Sequence, residues 1–135
     1  MKLDPVQLRD FAERYSKAWT SHVPDNVAAC FSEDGSLNVN EAPPAVGRAA
    51  ISGVARSFMA NFPDLHLKMD NLVLKDGRVI YHWTFSGRNT GPGGTGHHVL
   101  FRGFESWRFG PDGLIAESLG HFDETQYQHQ LAHGI

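Results

Sequence analysis

The chain has 135 residues, a hydrophobic fraction of 41%, a charged fraction of 20% and a formal net charge of −3 with histidine neutral. This length and composition predict one globular domain, 1–135, with its own hydrophobic core. The negative net charge and the scattered Lys and Arg residues exclude the basic surface on which nucleic-acid and anionic-membrane binding depend. We therefore expect neither a nucleic-acid nor a membrane partner.

The single cysteine, Cys30, excludes an internal disulfide and a thiolate metal cluster. It falls in a predicted helix between Ala29 and Phe31, where a buried, inert thiol is favoured over a nucleophile. The N-terminal sequence MKLDPVQLRDF lacks the apolar run of a signal peptide, and no segment has the length and apolarity of a membrane span. A cytoplasmic location is the expectation.

Helices are predicted in the first half of the chain. An Asp-Pro start at Asp4 and apolar residues at helical spacing predict a first helix to about Ser21. A short second helix is predicted over 24–31. A third follows Gly47, over 48–62, and ends before Pro63.

Strands are predicted mainly in the second half, where apolar residues alternate along the chain. The predicted strands cover 36–40, 65–75, 78–86, 97–109 and 114–122. Asp76 and Gly77 predict a tight hairpin turn between the second and third of these. Asp123 begins a C-terminal helix. The pattern predicts an α+β fold, with three N-terminal helices packed on one face of a curved, mainly antiparallel sheet.

The segment 87–96 carries five glycines and Pro92, which predicts a mobile hairpin loop. We interpret it as a lid over a pocket between sheet and helices. It lacks the Lys-Ser/Thr ending and the following helix of a phosphate-binding loop.

Four motifs, RYSKAW, CFSEDGSL, VGRAAI and FESWRF followed by a turn and GLIAES, run through nearly the whole chain. Together they resemble the nuclear transport factor 2-like superfamily and, within it, the SnoaL-like polyketide cyclase group. The resemblance implies a cone with a curved sheet, an apolar pocket in its mouth and commonly a homodimer through the outer face of the sheet. This fold hosts isomerases, cyclases, epoxide hydrolases, dehydratases and non-catalytic binders.

The resemblance also assigns catalytic positions. Steroid isomerases of the superfamily use a tyrosine, a strand acid and an aspartate base, which fall on Tyr15, Glu105 and Val39. A valine cannot accept a proton. Of the two aspartates that end the last strand in the SnoaL-like group, the first is replaced by Gly120 and the second is Asp123.

Epoxide hydrolases of the superfamily carry an Arg-x-Asp pair, which the resemblance places at His82 and Thr84. Those two side chains are therefore expected to face the pocket. By strand alternation, the aromatic residues Tyr81, Trp83 and Phe85 would then cover the outer face. Three aromatic residues on that face would favour a homodimer interface.

Glu105 is the first candidate for catalysis, with Phe101, Gly103 and Trp107 on the same side of its strand. A carboxyl group buried in an apolar pocket has a raised pKa and suits proton transfer or hydrogen-bond donation. The alternative is a surface glutamate paired with Arg102, Arg108 or His82.

The other candidates each have a structural alternative. His82 could be the general base or a hydrogen-bonded core histidine. Tyr15 could donate to an oxyanion or be a core tyrosine. Asp123 could be the acid/base or only a helix cap. The residues expected to line the pocket or its rim are Trp19, Val39, Asn40, Phe58, Met59, Phe101, Trp107 and Phe122.

The leading hypothesis is a cofactor-independent isomerase or lyase. It would move protons next to a carbonyl during isomerisation, aldol-type cyclisation or dehydration of a polyketide-like or terpenoid-like compound. The second is a non-catalytic small-molecule-binding or dimeric assembly module, and the third an epoxide or ester hydrolase. We expect no cofactor. We also expect no metal site, because the adjacent His97 and His98 would point to opposite faces of a strand.

Overall fold

The computed structural model describes residues 4–135 and forms four helices and six strands within that range. In chain order the elements are α1 (Pro5–Thr20), α2 (Pro24–Ala28), β1 (Phe31–Val39), β2 (Ala45–Val46), α3 (Arg48–Asn61), β3 (His66–Lys75), β4 (Arg78–Arg88), β5 (His98–Phe109), β6 (Ile115–Phe122) and α4 (Glu124–His133). The predicted α+β class is confirmed. β2 and the first half of β1 were not predicted.

Helix α1 begins where the sequence indicates. The Asp4 carboxylate accepts hydrogen bonds from the backbone N–H groups of Val6, at 2.8 Å, and Gln7, at 3.3 Å. These bonds satisfy two of the N–H groups that a helix start leaves without partners. One face of α1 is buried, and it includes Phe11 and Tyr15. None of the four helices in the described range is both long and apolar enough to cross a membrane.

The six strands form one sheet in the order β2-β1-β6-β5-β4-β3. All neighbouring pairs are antiparallel except β1 and β6, which are parallel. The β3–β4 hairpin turns at Asp76 and Gly77, with φ angles of 52° and 75°. Two consecutive positive φ angles are typical of the tight turn that this Asp-Gly pair predicts.

The side chains of β4 face the opposite way from the prediction. Tyr81 pairs directly with Glu105 across β4 and β5, and directly paired residues of an antiparallel sheet share a face. Tyr81, Trp83 and Phe85 are therefore buried in the core, whereas His82 and Thr84 lie on the outer face. The expected outer aromatic patch, and the dimer argument based on it, are wrong.

The glycine-rich segment is fixed to the body of the protein. Asn89 is buried, and its side-chain amide donates to the carbonyl of Asn61 at 3.2 Å while its oxygen accepts from the N–H of Thr95 at 2.7 Å. A side chain at Gly91 would place its Cβ 2.0 Å from the carbonyl oxygen of Ala60. The segment therefore packs on the end of α3. None of its residues lines the cavity described below, so the lid interpretation is wrong.

Cys30 lies in the turn between α2 and β1 rather than within a helix. Burial raises the pKa of its thiol to about 11. Because the thiolate is the nucleophilic form, a thiol with this pKa is unreactive at neutral pH. This agrees with the interpretation of Cys30 as inert.

Candidate active site

Three neighbouring strands place three residues of interest in one row across the sheet. Val39 of β1 pairs with Gly120 of β6, and Gly120 pairs with Glu105 of β5. All three line the same cavity. The resemblance assigns a base to the position of Val39 and an acid to the position of Gly120, and both positions lie in one row with Glu105. Of these three residues, only Glu105 carries an ionisable group.

The Glu105 carboxylate is held by one of its two oxygens. Oε1 accepts hydrogen bonds from the Ser118 hydroxyl at 2.6 Å, the Tyr15 hydroxyl at 2.8 Å and the Trp107 indole N–H at 3.1 Å. Among the described residues, Oε2 accepts no hydrogen bond. The side chain is fixed in place while one oxygen stays available to a ligand.

Burial and hydrogen bonding act on Glu105 in opposite directions. Removal from water raises its pKa, because burial disfavours the charged form, and the bonds from Ser118, Trp107 and Tyr15 partly lower it. The net direction is upward. A carboxyl group with a raised pKa exchanges a proton nearer to neutral pH than an exposed glutamate does.

Glu105 forms part of an apolar inner cavity of about 60 Å³. Its lining comes from α1, α3 and all strands except β2, and residues 4–135 contribute no lysine or arginine to it. A wider outer depression of about 500 Å³ shares Val39, Phe58 and Phe122 with the cavity. These three side chains therefore lie at the boundary between the outer depression and the inner cavity.

Most of the residues predicted to line the pocket reach it. Those in the wall of the inner cavity are Trp19, Val39, Phe58, Phe101 and Phe122. Asn40 lines the outer depression. Met59 and Trp107 are buried but do not line the inner cavity, so their predicted placement is wrong.

Trp83 and Phe85 also face inward and line the cavity, although they were predicted to lie on the outer face. A signal was available in the alternation of β4, where large aromatic residues alternate with His, Thr and Ser. The more hydrophobic of two alternating sets normally faces the core.

His82 does not reach Glu105. Its ring lies on the outer face, 6.0 Å from the ring of Phe104, its partner across the β4–β5 pair. Glu105 points to the opposite face of the sheet. The expected proton shuttle between Glu105 and His82 is therefore wrong.

Asp123 is exposed and occupies the N-cap of α4. Its carboxylate accepts a hydrogen bond from the N–H of Gln126 at 3.0 Å. It does not line the inner cavity. The helix-cap alternative describes this geometry fully.

The histidines offer one close pair. His129 and His133 lie one turn apart on α4, with ring centres separated by 4.8 Å, and this pair was not predicted. Within residues 4–135, no group of three or more His, Cys, Asp or Glu residues is arranged to hold a metal ion.

A family model described as a SnoaL-like domain matches residues 12–118. No curated protein matches the chain by sequence. Several solved structures share its fold at low sequence identity.

One of these structures is a candidate SnoaL-like polyketide cyclase from Jannaschia, with 14% identity and a TM-score of 0.83; the alignment covers 100% of this chain and 99% of that one. A Catenulispora acidiphila protein with a ketosteroid isomerase-like fold, solved in complex with trimethylamine, has 16% identity and a TM-score of 0.79, with coverages of 90% and 92%. The epoxide hydrolase/cyclase-like enzyme SalBIII of salinomycin pyran-ring formation has 14% identity and a TM-score of 0.77, with coverages of 91% and 95%.

Proposed function

The chain belongs to the SnoaL-like domain family, and from this premise we propose that it is a cofactor-independent enzyme that moves protons next to the carbonyl group of a hydrophobic small molecule. The substrate class is polyketide-like or terpenoid-like. The observation that carries the proposal is the Glu105 carboxyl group in the wall of an apolar cavity, with Oε1 held by three donors and Oε2 unbonded.

In the proposed reaction, Oε2 of ionised Glu105 removes a proton from the carbon beside the carbonyl. The electrons of that C–H bond form the carbon–carbon double bond of an enolate, and the negative charge moves to the carbonyl oxygen. Return of the proton at another carbon completes an isomerisation, whereas attack of the enolate on a second carbonyl completes a cyclisation. One carboxyl group can both take and return the proton.

The three donors to Oε1 have a definite part in this scheme. Without them, burial would raise the pKa of Glu105 further and favour the neutral form, which cannot act as a base. Ser118, Tyr15 and Trp107 stabilise the charged form and fix the direction of Oε2. We therefore propose Tyr15 as a positioning residue for Glu105 rather than as a group that contacts the substrate.

Hydrolysis of an epoxide or ester fits the cavity less well. A hydrolase must hold and activate a water molecule, which usually needs a second polar group near the acid. The residues paired with Glu105 in the sheet are Gly120 and Tyr81, and Val39 lies one strand further, beside Gly120. The Tyr81 hydroxyl is already hydrogen-bonded to Ser16.

A non-catalytic binding module is the second candidate. The observation that favours it is the absence of an ionisable group at Val39 and Gly120, which leaves Glu105 as the one carboxylate that residues 4–135 place in the cavity lining. A homodimer through the outer face of the sheet and a cytoplasmic location remain predictions under both functions.

The proposed activity can be tested with the β,γ-unsaturated isomer of cyclohexenone, a small ketone that becomes conjugated when one proton is moved. We expect the wild-type protein to accelerate the appearance of the conjugated enone, followed by its ultraviolet absorbance. Glu105→Gln keeps the size of the side chain and an acceptor oxygen but removes the base. It should lower the rate by about 100-fold or more.

His82→Gln is the matched control, because His82 lies on the outer face and its variant should retain the wild-type rate. Equal rates for the wild-type protein and Glu105→Gln would contradict the proposal. Binding of the ketone without any acceleration would favour the binding module.

A further inference from the structure

Two tryptophan side chains in the cavity wall carry indole N–H groups without a hydrogen-bond acceptor. Trp19 and Trp83 both line the inner cavity, and each is only 7% exposed. Neither Nε1 atom has a hydrogen-bond partner among residues 4–135. Since nearly all buried polar groups in folded proteins are hydrogen-bonded, two unpaired donors in one cavity wall point to a ligand.

The third tryptophan provides the contrast. Trp107 does not line the inner cavity, and its indole N–H donates to Oε1 of Glu105 at 3.1 Å. The indole N–H of Trp19 is intermediate between those of Trp107 and Trp83, because it lies near a polar group without forming a hydrogen bond to it. Burial raises the pKa of Tyr15 and the nearby Trp19 indole lowers it, although the Trp19 N–H does not meet hydrogen-bond geometry. Trp83 is therefore the stronger candidate for a donor reserved for a ligand.

Gly103 fixes where the Trp83 ring lies. The two residues pair across β4 and β5. A Cβ atom at Gly103 would come within 2.5 Å of Cζ2 and 2.7 Å of Cη2 of Trp83. The indole thus lies over Gly103, and its Cζ2 side, which is the nitrogen-bearing side of the ring, is turned toward β5. Glu105 is two residues further along that strand and on the same face, which makes it a diagonal neighbour of Trp83.

We propose that the indole N–H of Trp83 donates a hydrogen bond to the carbonyl oxygen of the bound ligand, with Trp19 as a second donor. This inference rests on the proposed function for the identity of the acceptor. When Glu105 removes the neighbouring proton, negative charge develops on that oxygen. A donor fixed in an apolar cavity then stabilises the charge more strongly than it stabilises the neutral carbonyl.

The same groups define the ligand class. Both unpaired indoles are donors only, so the ligand must offer an acceptor. A carboxylate or phosphate on the ligand would meet Glu105 in a lining to which the described part of the chain contributes no lysine or arginine. The ligand is therefore a neutral, largely apolar molecule with a carbonyl oxygen at the end that enters the cavity.

Proton–nitrogen correlation NMR can test this directly, because the chain has only three tryptophans and so three indole N–H signals. The probes are acetophenone and ethylbenzene, which differ in having a carbonyl or a methylene beside the ring. Acetophenone should move the Trp83 signal downfield and leave the Trp107 signal in place. Ethylbenzene should move the Trp83 signal much less.

Trp83→Phe assigns the signal and provides a second measurement. It removes the N–H together with part of the ring, so the informative quantity is the ratio of the two ligands' affinities. The affinity for acetophenone divided by that for ethylbenzene should be about two- to tenfold lower in Trp83→Phe than in the wild-type protein. This is the range expected for the loss of one neutral hydrogen bond. If Trp83→Phe does not fold, Trp19→Phe and Trp107→Phe identify the Trp83 signal by elimination, and the wild-type titration then tests the inference.

Three results would overturn the inference: no binding of acetophenone up to its solubility limit, an unmoved Trp83 signal with acetophenone bound, or equal movement with both ligands. These results are separate from the test of the proposed function. If Glu105→Gln retained full activity, the proposed role of Glu105 would fail, but the Trp83 signal would still report on the ligand's oxygen.

Discussion

The hydroxyl of Tyr15 on helix α1 lies 2.8 Å from Oε1 of Glu105 on strand β5, and both side chains are buried. This bond joins residues 90 positions apart in the chain. It places helix and sheet in one polar cluster inside a largely apolar core, together with Ser118 and Trp107. A buried hydrogen-bonded carboxyl group of this kind controls both stability and proton transfer.

The donors to Glu105 should control the pH at which the protein works. Ser118→Ala and Tyr15→Phe each remove a bond that stabilises the carboxylate, so each should raise the pKa of Glu105 further. Ser118 lowers that pKa more than Tyr15 does, and Ser118→Ala should therefore give the larger upward shift. The measurement is the pH dependence of kcat/KM for the cyclohexenone isomer. If the pH dependence of kcat/KM were unchanged in both variants, the ionisation of Glu105 would not determine that dependence.

The raised pKa of Glu105 should also appear in the stability of the fold. In the folded protein the pKa of this group lies above its ordinary value of 4.5, so the folded state binds the proton more tightly than the unfolded state. Its contribution to stability is complete below pH 4.5 and is lost as the pH rises through the folded-state pKa.

Urea denaturation at a series of pH values would measure this loss. We expect the free energy of unfolding of the wild-type protein to fall relative to that of Glu105→Gln as the pH rises above 4.5. Parallel curves for the two proteins would contradict a raised pKa.

Gly103 should be essential to the position of Trp83. In Gly103→Ala the new Cβ would lie 2.5 Å from Cζ2 of Trp83 and 2.4 Å from the carbonyl oxygen of His121. We expect a loss of about 1–3 kcal/mol in the free energy of unfolding, as in other overpacked cores. Affinity for acetophenone should also fall.

Gly53→Ala on α3 is the matched control, because a Cβ there would meet no atom within 4 Å. It should stabilise the protein by about 0.5–1 kcal/mol, since glycine is unfavourable within a helix. Equal effects of the two substitutions would mean that the contact between Gly103 and Trp83 is not restrictive.

Asp123 should contribute to stability and not to catalysis. Asp123→Ala removes the cap of α4 and should lower the free energy of unfolding by about 1 kcal/mol. Asp123→Asn keeps a capping oxygen and should change stability by only a few tenths of a kcal/mol. Both variants should retain the wild-type isomerisation rate. A large loss of rate in Asp123→Asn would instead identify an acid/base role.

The sequence predicted the elements better than their pairing. Residues with strong local signals, such as Asp4, Gly77 and Asp123, begin or connect elements where expected. The alternation of β5 grouped Glu105 with Phe101 and Trp107, and all three are buried. These features depend on capping, turn geometry and side-chain period, all of which are local.

The error at His82 arose because the resemblance placed a catalytic pair at His82 and Thr84, and this was preferred over the alternation of β4 itself. Reversing the orientation of a strand moves every one of its side chains to the other face of the sheet. The observed pairing of Tyr81 with Glu105 excludes His82 from the cavity. Nor can a sequence show that the Trp19 and Trp83 N–H groups lack acceptors, because that depends on every neighbour in the folded core.

The most direct test of the role assigned to Glu105 is a crystal structure of the protein soaked with acetophenone. We predict the ligand in the inner cavity, with its methyl carbon within about 3.5 Å of Oε2 of Glu105 and its oxygen about 3 Å from Nε1 of Trp83. A ligand confined to the outer depression, or one bound in the cavity with its carbonyl turned away from Glu105, would contradict the proposed function.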